Sequence, residues 1–317
     1  MYFPYLRGRQ YELLALKELA QGDLLGTLVI PVVEPIKLTS TFDGTLRAFA
    51  KAQLQLALIF NPAFGDFANG DSFTDAFYSR VDNFDYINPT VLMNKNTVSA
   101  LATLEARNVA REEMTVIIDN RDCIDTYKTE FANAAPQYTL FPDERQIRRT
   151  ISQNKVIFED KFKKQERNAD YLKNEDEFFS DDHLYFLEEG FVGFGDYSVI
   201  GNEYIEAGFA PYAVAFHMVY FDNDRILRIH HFVSNSNTDT SDVAGKFREA
   251  LDKYMVWQRE WMNKCPDMFI DEQPPTAAMM TLNMHWEKGT YPGLPTLKKL
   301  SIMHHLELMG KYLDGRL

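Results

Sequence analysis

Cysteine is nearly absent from this chain: Cys123 and Cys265 are the two in 317 residues, far apart and outside any CxxC pairing. That excludes a disulfide framework and a thiolate zinc site, and it fits a reducing, cytoplasmic setting. No stretch of about 18 apolar residues occurs, so the sequence predicts no membrane span. The opening MYFPYLRGRQ lacks the charged start and long apolar segment of a signal peptide. Basic residues are outnumbered, 33 against 46 acidic ones for a formal charge of -13. This balance disfavours direct binding of duplex nucleic acid or an anionic membrane. The densest basic stretch, DERQIRRT followed by DKFKKQER, reads as a solvated helix face.

Several motifs are missing too. No glycine-rich phosphate loop of the Rossmann type follows the first strong strand, which ends in VEPIKL. There is no HxH after that strand and no HExxH anywhere.

What the chain has is apolar and aromatic mass, 45% and 14% of its residues, enough to bury a large core. Helical and strand patterns alternate. YELLALKELAQGD repeats its leucines at helical spacing and stops at Gly22. TLVIPVVEPIK is an almost continuous apolar run, the mark of a strand covered on both faces. Further strands are expected in LQLALIFNP, YINPTVLMNK, MTVIIDNRD, QYTLFPD, KVIFEDKF and EGFVGFGDY. Helices are expected between them, including FTDAFYSRVDNF and DEFFSDDHLYFLEE.

A unit of about 25 to 30 residues implies βαβ repeats and a parallel sheet. Seven strands are counted from VIPVVEPIK to Tyr197. The stretch YAVAFHMVYFDNDRILRIHHFVS reads as a hairpin, either strand of which can supply the eighth. The expected fold is therefore a single irregular (β/α)8 TIM-type barrel over residues 1–241, with a β-hairpin near the closing strand. Residues 242–317 are expected to form two helices around a Pro274–Pro275 linker, an appendix packed on the barrel within the same domain.

Particular segments also resemble a known family. YLRGRQYELLAL, VIPVVEPIK and the GDY after a glycine-rich strand are similar to the Beta-protein family of bacteria and phage, which implies a TIM-like barrel. FGDYSVIGNEYIEAGFAPYAVAFHMVYFD, HHFVSNSN and LSIMHHLELM resemble an uncharacterised bacterial family carried with a small companion protein on mobile or defence-associated gene clusters. The resemblance implies a role in mobile-element or antiphage biology and a companion-protein partner.

In such a barrel, functional groups project from the C-terminal strand ends and the loops after them. The polar residues there are Glu34, Lys37, Asn61, Asn94, Lys95, Asp119, Arg121, Glu159, Asp160, Lys161, Asp196 and Tyr197, with His230 from the hairpin. Glu34, Asp119 and Asp196 form a candidate oxygen-rich site for magnesium, manganese or zinc that would activate water on a phosphoester. The metal-free version uses two carboxylates as acid and base, with Lys37 or Arg121 holding a small phosphorylated ligand. Glu34, Lys37, Asp119, Asp196, Tyr197 and His230 are then the catalytic candidates, and Asn61, Asn94, Arg121 and Lys161 the substrate-binding ones.

Structural roles compete at each point. Glu34 has Lys37 or Arg7 as a salt-bridge partner, Asn61 precedes Pro62 in a turn, and Asp119 is an ordinary helix cap. His230 and His231 face opposite ways on a strand, so at most one enters a site. His304 and Glu307, one turn apart, can bind metal or pack in a core. Two function classes remain open. One is a barrel hydrolase of phosphoesters; the other is a non-catalytic recognition or scaffold subunit using the SNSNTDTSD loop and the aromatic C-terminal helices.

Overall fold

A computed structural model describes residues 1–68, 75–81, 85–205 and 212–317. In chain order the strands are β1 (Tyr2–Leu6), β2 (Val32–Val33), β3 (Leu56–Ile59), β4 (Ile87–Leu92), β5 (Thr115–Ile117) and β6 (Tyr138–Phe141). They continue with β7 (Lys155–Phe158), β8 (Asp176–Ser180), β9 (Gly193–Asp196), β10 (Ala215–Phe221) and β11 (Leu227–Val233). The helices are α1 (Gln10–Gln21), α2 (Ser40–Ala52), α3 (Asp75–Val81), α4 (Thr97–Glu105) and α5 (Ile124–Glu130). After them come α6 (Arg145–Thr150), α7 (Asp182–Tyr185), α8 (Val243–Lys264), α9 (Ala277–Lys288) and α10 (Leu294–Leu313).

Strands β1 to β7 and β9 pair in parallel, each with the next, and β9 pairs with β1 to close an eight-stranded barrel. The α/β TIM-type barrel expected from the alternation is present. Its closing strand differs from the expectation. Neither hairpin strand takes part; the eighth strand is β1, which lies in what reads from sequence as a short start. Its five residues, YFPYL, are all buried. Pro4 in that run obscures the strand signal, because proline cannot donate to a ladder.

Alternation along each strand fills the barrel interior with Phe3, Tyr5, Ile30, Val32, Ala57, Ile59, Ile117, Leu140, Val156 and Phe158. Strand β9 contributes no side chain to this layer, because its inward positions are Gly193 and Gly195. A Cβ on Gly195 would lie 2.4 Å from the Phe3 carbonyl oxygen and 2.9 Å from Phe158 Cδ2. One on Gly193 would lie 2.8 Å from the Met1 carbonyl oxygen. The glycines of GFVGFGDY therefore make room for the aromatic rings that β1 and β7 place inside the barrel.

The chain divides into two compact units, residues 1–160 with 182–197, and residues 161–181 with 198–317. The first is the barrel with its helices. The second contains an antiparallel sheet ordered β10-β11-β8 together with α8, α9 and α10. The hairpin joined at Asp222–Arg225 thus falls with the C-terminal helices. DEFFS, expected as helix, is the edge strand β8, paired antiparallel to β11. Tertiary pairing overrides a weak local signal there. Three helices replace the expected two, since α9 follows the Pro274–Pro275 pair. Its Thr276 caps it, accepting from the Met279 amide at 3.4 Å. Of FTDAFYSRVDNF, the helix Asp75–Val81 is seen and the flanks lie outside the described residues. Among the described residues no helix is long and apolar enough to cross a membrane.

Two glycine substitutions of opposite sign test this account. Gly195→Ala overfills the barrel and is expected to destabilise it by about 1–3 kcal/mol. Gly44→Ala, inside α2 where the nearest new contact is the flexible Lys17 Nζ at 3.4 Å, is expected to stabilise by up to about 1 kcal/mol. Urea denaturation of both variants checks the pair.

Candidate functional site

The alternation that builds the barrel core also builds its C-terminal rim. One inward position beyond the apolar layer brings Arg7 after β1, Glu34 after β2, Asn61 after β3 and Asn94 after β4. The remaining positions are Asp119 after β5, Asp160 after β7 and Tyr197 after β9. The rim of an otherwise apolar barrel is thus polar on nearly every strand.

Half of this ring, buried at Arg7, Glu34 and Asn61 and half-buried at Asn94, is spent on structure. The carboxylate of Glu34, fully buried, accepts from the Tyr5 hydroxyl at 2.8 Å and from the Ala63 amide at 2.6 Å. Arg7 Nε lies 3.6 Å from it. Of the two expected partners of Glu34, Arg7 is the one in place, and Lys37 is exposed. The Arg7 guanidinium also lies against the Phe64, Tyr5 and Tyr197 rings at 5.1, 5.8 and 5.8 Å. Burial and the adjacent Glu34 charge push the Tyr5 phenol well above its ordinary range. Asn61 substitutes for a strand residue: its amide nitrogen donates to the Leu92 carbonyl at 2.7 Å and its oxygen accepts from the Leu92 amide at 2.8 Å. Asn94 is held by Asn61 and the Asn96 amide. These two asparagines tie strand ends together.

The other half is accessible. Tyr197, half-buried, packs on Tyr5 and Phe158, each at 4.9 Å between ring centroids. Burial raises its pKa, opposed by Arg7 and reinforced by Asp119, Asp160 and Glu34, so it is a neutral hydrogen-bond donor. Asp119 and Asp160 are exposed at the ends of β5 and β7. Partial burial raises Asp119, against hydrogen bonds from Asn120, whose amide nitrogen reaches Asp119 Oδ1 at 2.7 Å. The expected capping role falls to the neighbour: Asn120 Oδ1, not Asp119, accepts from the Asp122 amide at 2.9 Å.

Three residues expected at this site lie elsewhere. Asp196 is an outward position of β9, buried, and accepts from the Tyr2 hydroxyl at 2.9 Å. Tyr2 stacks on Phe194, which packs in turn on Phe186. The strand ends on an acid because Tyr2 on the neighbouring strand supplies a partner, not because the position is wet. His230 lies on β11 in the second unit, its Nδ1 at 3.1 Å from Asp176. Lys161 also falls in the second unit, and Arg121 and Lys95 are exposed on the barrel.

The expected metal set of Glu34, Asp119 and Asp196 is therefore not brought together, because Asp196 faces away from the other two. Among the described residues no group of three or more His, Cys, Asp or Glu side chains is arranged to hold a metal ion. His304 is a core residue: Nε2 donates to the Val219 carbonyl at 2.7 Å and Nδ1 pairs with Thr276 at 2.8 Å. Burial pushes it down to about 4. Glu307 accepts from the Ala277 amide and pairs with Lys311. Trp257 and Trp261 stack on each other at 5.3 Å as a packing stripe.

Tyr5 is the rim residue not anticipated, for want of a recognised strand β1, and Arg7 was expected only as a partner of Glu34. The alternating bulk of Phe3 and Tyr5 before Arg7 is the signal that identifies them. Comparison of the sequence with family models and with curated proteins finds no match, so the chemistry rests on this geometry.

Removing the Glu34 carboxylate strands the Arg7 charge in a buried site. Glu34→Ala is expected to cost about 3–5 kcal/mol, while Lys37→Ala, on an exposed side chain, stays within about 0.5 kcal/mol. Denaturant unfolding of the two variants distinguishes this from a Glu34–Lys37 pair.

Proposed function

We propose that this protein is a hydrolase whose active site is the accessible half of the barrel rim, working by carboxylate acid–base catalysis on an uncharged, hydrogen-bonding substrate. The observation that carries the reading is the inward set Asp119, Asp160 and Tyr197 at the C-terminal end of a closed parallel barrel, where barrel enzymes keep their chemistry. Asp119, its pKa raised, serves as the proton donor. Asp160 accepts the proton of the attacking water, and the Tyr197 phenol donates a hydrogen bond to the substrate. Charge decides the substrate class. The rim holds three carboxylates against Arg7, whose charge Glu34 already offsets. An anionic phosphoester is repelled there unless a divalent ion joins it, whereas a glycoside or amide meets acceptors suited to its hydroxyl or N–H groups.

A recognition or scaffold role, as the family resemblance implies, has one observation in its favour. Met280 and Met284, one turn apart on α9, are 46% and 40% exposed, and Val256 and Ile270 are more exposed still. Methionine-rich exposed faces suit a companion protein. The mobile-element or antiphage setting belongs with this second reading.

Nitrophenyl glycosides, anilides and phosphodiesters, each with and without magnesium, manganese or zinc, separate the readings. Turnover of an uncharged substrate that falls by about 10²-fold or more in Asp119→Asn and Asp160→Asn, with Lys37→Ala unchanged, supports the acid–base site. Turnover of phosphodiesters that requires an added ion replaces it with the metal-assisted reading. No turnover in any arm, with loss of companion binding in Met280→Glu, transfers the function to the scaffold reading.

A further inference from the structure

Helices α1 and α2 carry between them a basic groove that the barrel reading does not use. Thr45 Oγ1 of α2 donates to the Leu13 carbonyl of α1 at 3.0 Å, which holds the two helices side by side. Further along, the facing residues are small, Ala20 on α1 and Gly44 and Ala48 on α2. They leave a cavity of about 610 Å³ whose charged residues are Lys17, Asp23, Arg47 and Lys51.

The three cations have no partner of their own. Among the described residues, Lys17, Arg47 and Lys51 make no ion pair and no side-chain hydrogen bond. The sequence explains why, since on a helix the partners of a charge stand three or four residues away. Lys17 has Leu13, Leu14, Ala20 and Gln21 there, and Lys51 has Ala48 and the like-charged Arg47. Arg47 has one acid in reach, Asp43. Arg80 of α3 takes both oxygens of that acid, at 2.6 and 2.7 Å. Lys51, in the last turn of α2, also meets the carbonyl end of its helix, whereas Lys17 and Arg47 stand before the last turn of theirs. Lys17 is half-buried and laid along α2: a Cβ on Gly44 would lie 3.4 Å from its Nζ and 3.7 Å from its Cε. Asp23, exposed, is the one acid among the described lining residues. Three positive charges thus face one negative charge, on a chain whose formal charge is -13.

We propose that this groove binds the phosphate chain of a small molecule, two or three linked phosphates held by Lys17, Arg47 and Lys51. The surplus of positive charge selects an anion, and the length of the row selects a chain. Lys17 Nζ lies over Gly44, and Arg47 and Lys51 follow three and seven residues later, a span of about 10 Å at the helical rise. A single phosphate reaches part of that row; linked phosphates reach all of it. Arg47 offers its planar fork to two oxygens of one phosphate, and the lysines act as point charges on its neighbours. The glycine and alanines beneath keep the approach clear, and the volume is that of a small-molecule site. Among the described residues none that lines the groove belongs to the barrel rim, so the failure of either site leaves the other standing.

Isothermal titration calorimetry of the full chain with inorganic triphosphate, orthophosphate and citrate, free of divalent ions and at about 150 mM salt, tests the site. The expected result is saturable binding of triphosphate, with orthophosphate and the compact trianion citrate about 10-fold weaker or more. Arg47→Gln and Lys51→Gln, both on exposed side chains, are each expected to weaken triphosphate by about 5-fold or more. Asp23→Asn is expected to tighten it, and Lys264→Gln, in the second unit, to leave it unchanged. No saturable binding at millimolar triphosphate overturns the proposal. So does binding that survives both Arg47→Gln and Lys51→Gln, or orthophosphate or citrate binding as tightly as triphosphate.

Discussion

Backbone contact between the first and last barrel strands decides where every other element of the first unit goes. Strand β9 approaches β1 so closely that a methyl group on Gly195 would overlap the Phe3 carbonyl. The Phe194 amide donates to the Met1 carbonyl at 3.0 Å, and the Ile30 amide donates to the Tyr2 carbonyl at 2.8 Å on the other side. The five-residue strand β1 is thereby held on both edges. The cost is two glycines, which lose more backbone freedom on folding than other residues. The return is a closed sheet without edges and an interior that holds Phe3, Tyr5 and Phe158 together.

The rim follows from that closure. Because β1 sits between β9 and β2, Tyr5 and Arg7 meet Glu34 on one side and Tyr197 on the other. The Glu34 carboxylate is the point where three chain segments join: it takes a phenol from β1, an amide from the loop after β3, and the Arg7 charge. A buried charge with that many donors is a positioning element. It holds Tyr5 and Arg7, whose side chains lie against the Tyr197 ring, while Asp119 and Asp160 are exposed. Arg7, Glu34 and Asn61 are thus buried and tied into the scaffold while Asp119 and Asp160 are exposed, a distinction that residue type does not reveal.

The barrel was legible in the sequence because parallel strands buried on both faces read as apolar runs, and VIPVV, MTVII and KVIF are such runs. Strand β1 was hidden by Pro4 and by its position before the first helix, so the count reached seven and the hairpin was asked to supply the eighth. The rim residues Glu34, Asn61, Asn94, Asp119, Asp160 and Tyr197 were legible as polar residues at the C-terminal strand ends, and period-two alternation is what sets them apart from Lys95, Glu159 and Asp196. Asp196 was misplaced by one residue of that same period: the inward position is Gly195, so its neighbour faces out towards Tyr2. The Asp176–His230 pair was out of reach, since Asp176 read as helix and its partner lies 54 residues away. Long-range pairing of an edge strand leaves no local pattern.

Native-state hydrogen exchange of the barrel amides tests the central claim most directly. If β1 closes the barrel, the amides of Ile30, Glu34 and Phe194, which donate to Tyr2, Leu6 and Met1, exchange only with unfolding of the whole barrel. Their protection should then match that of Ile118, which donates to Leu140 across the barrel from them. Exchange of those three at the rate of surface loops, with Ile118 still protected, would mean that the N-terminal strand is not part of the folded barrel.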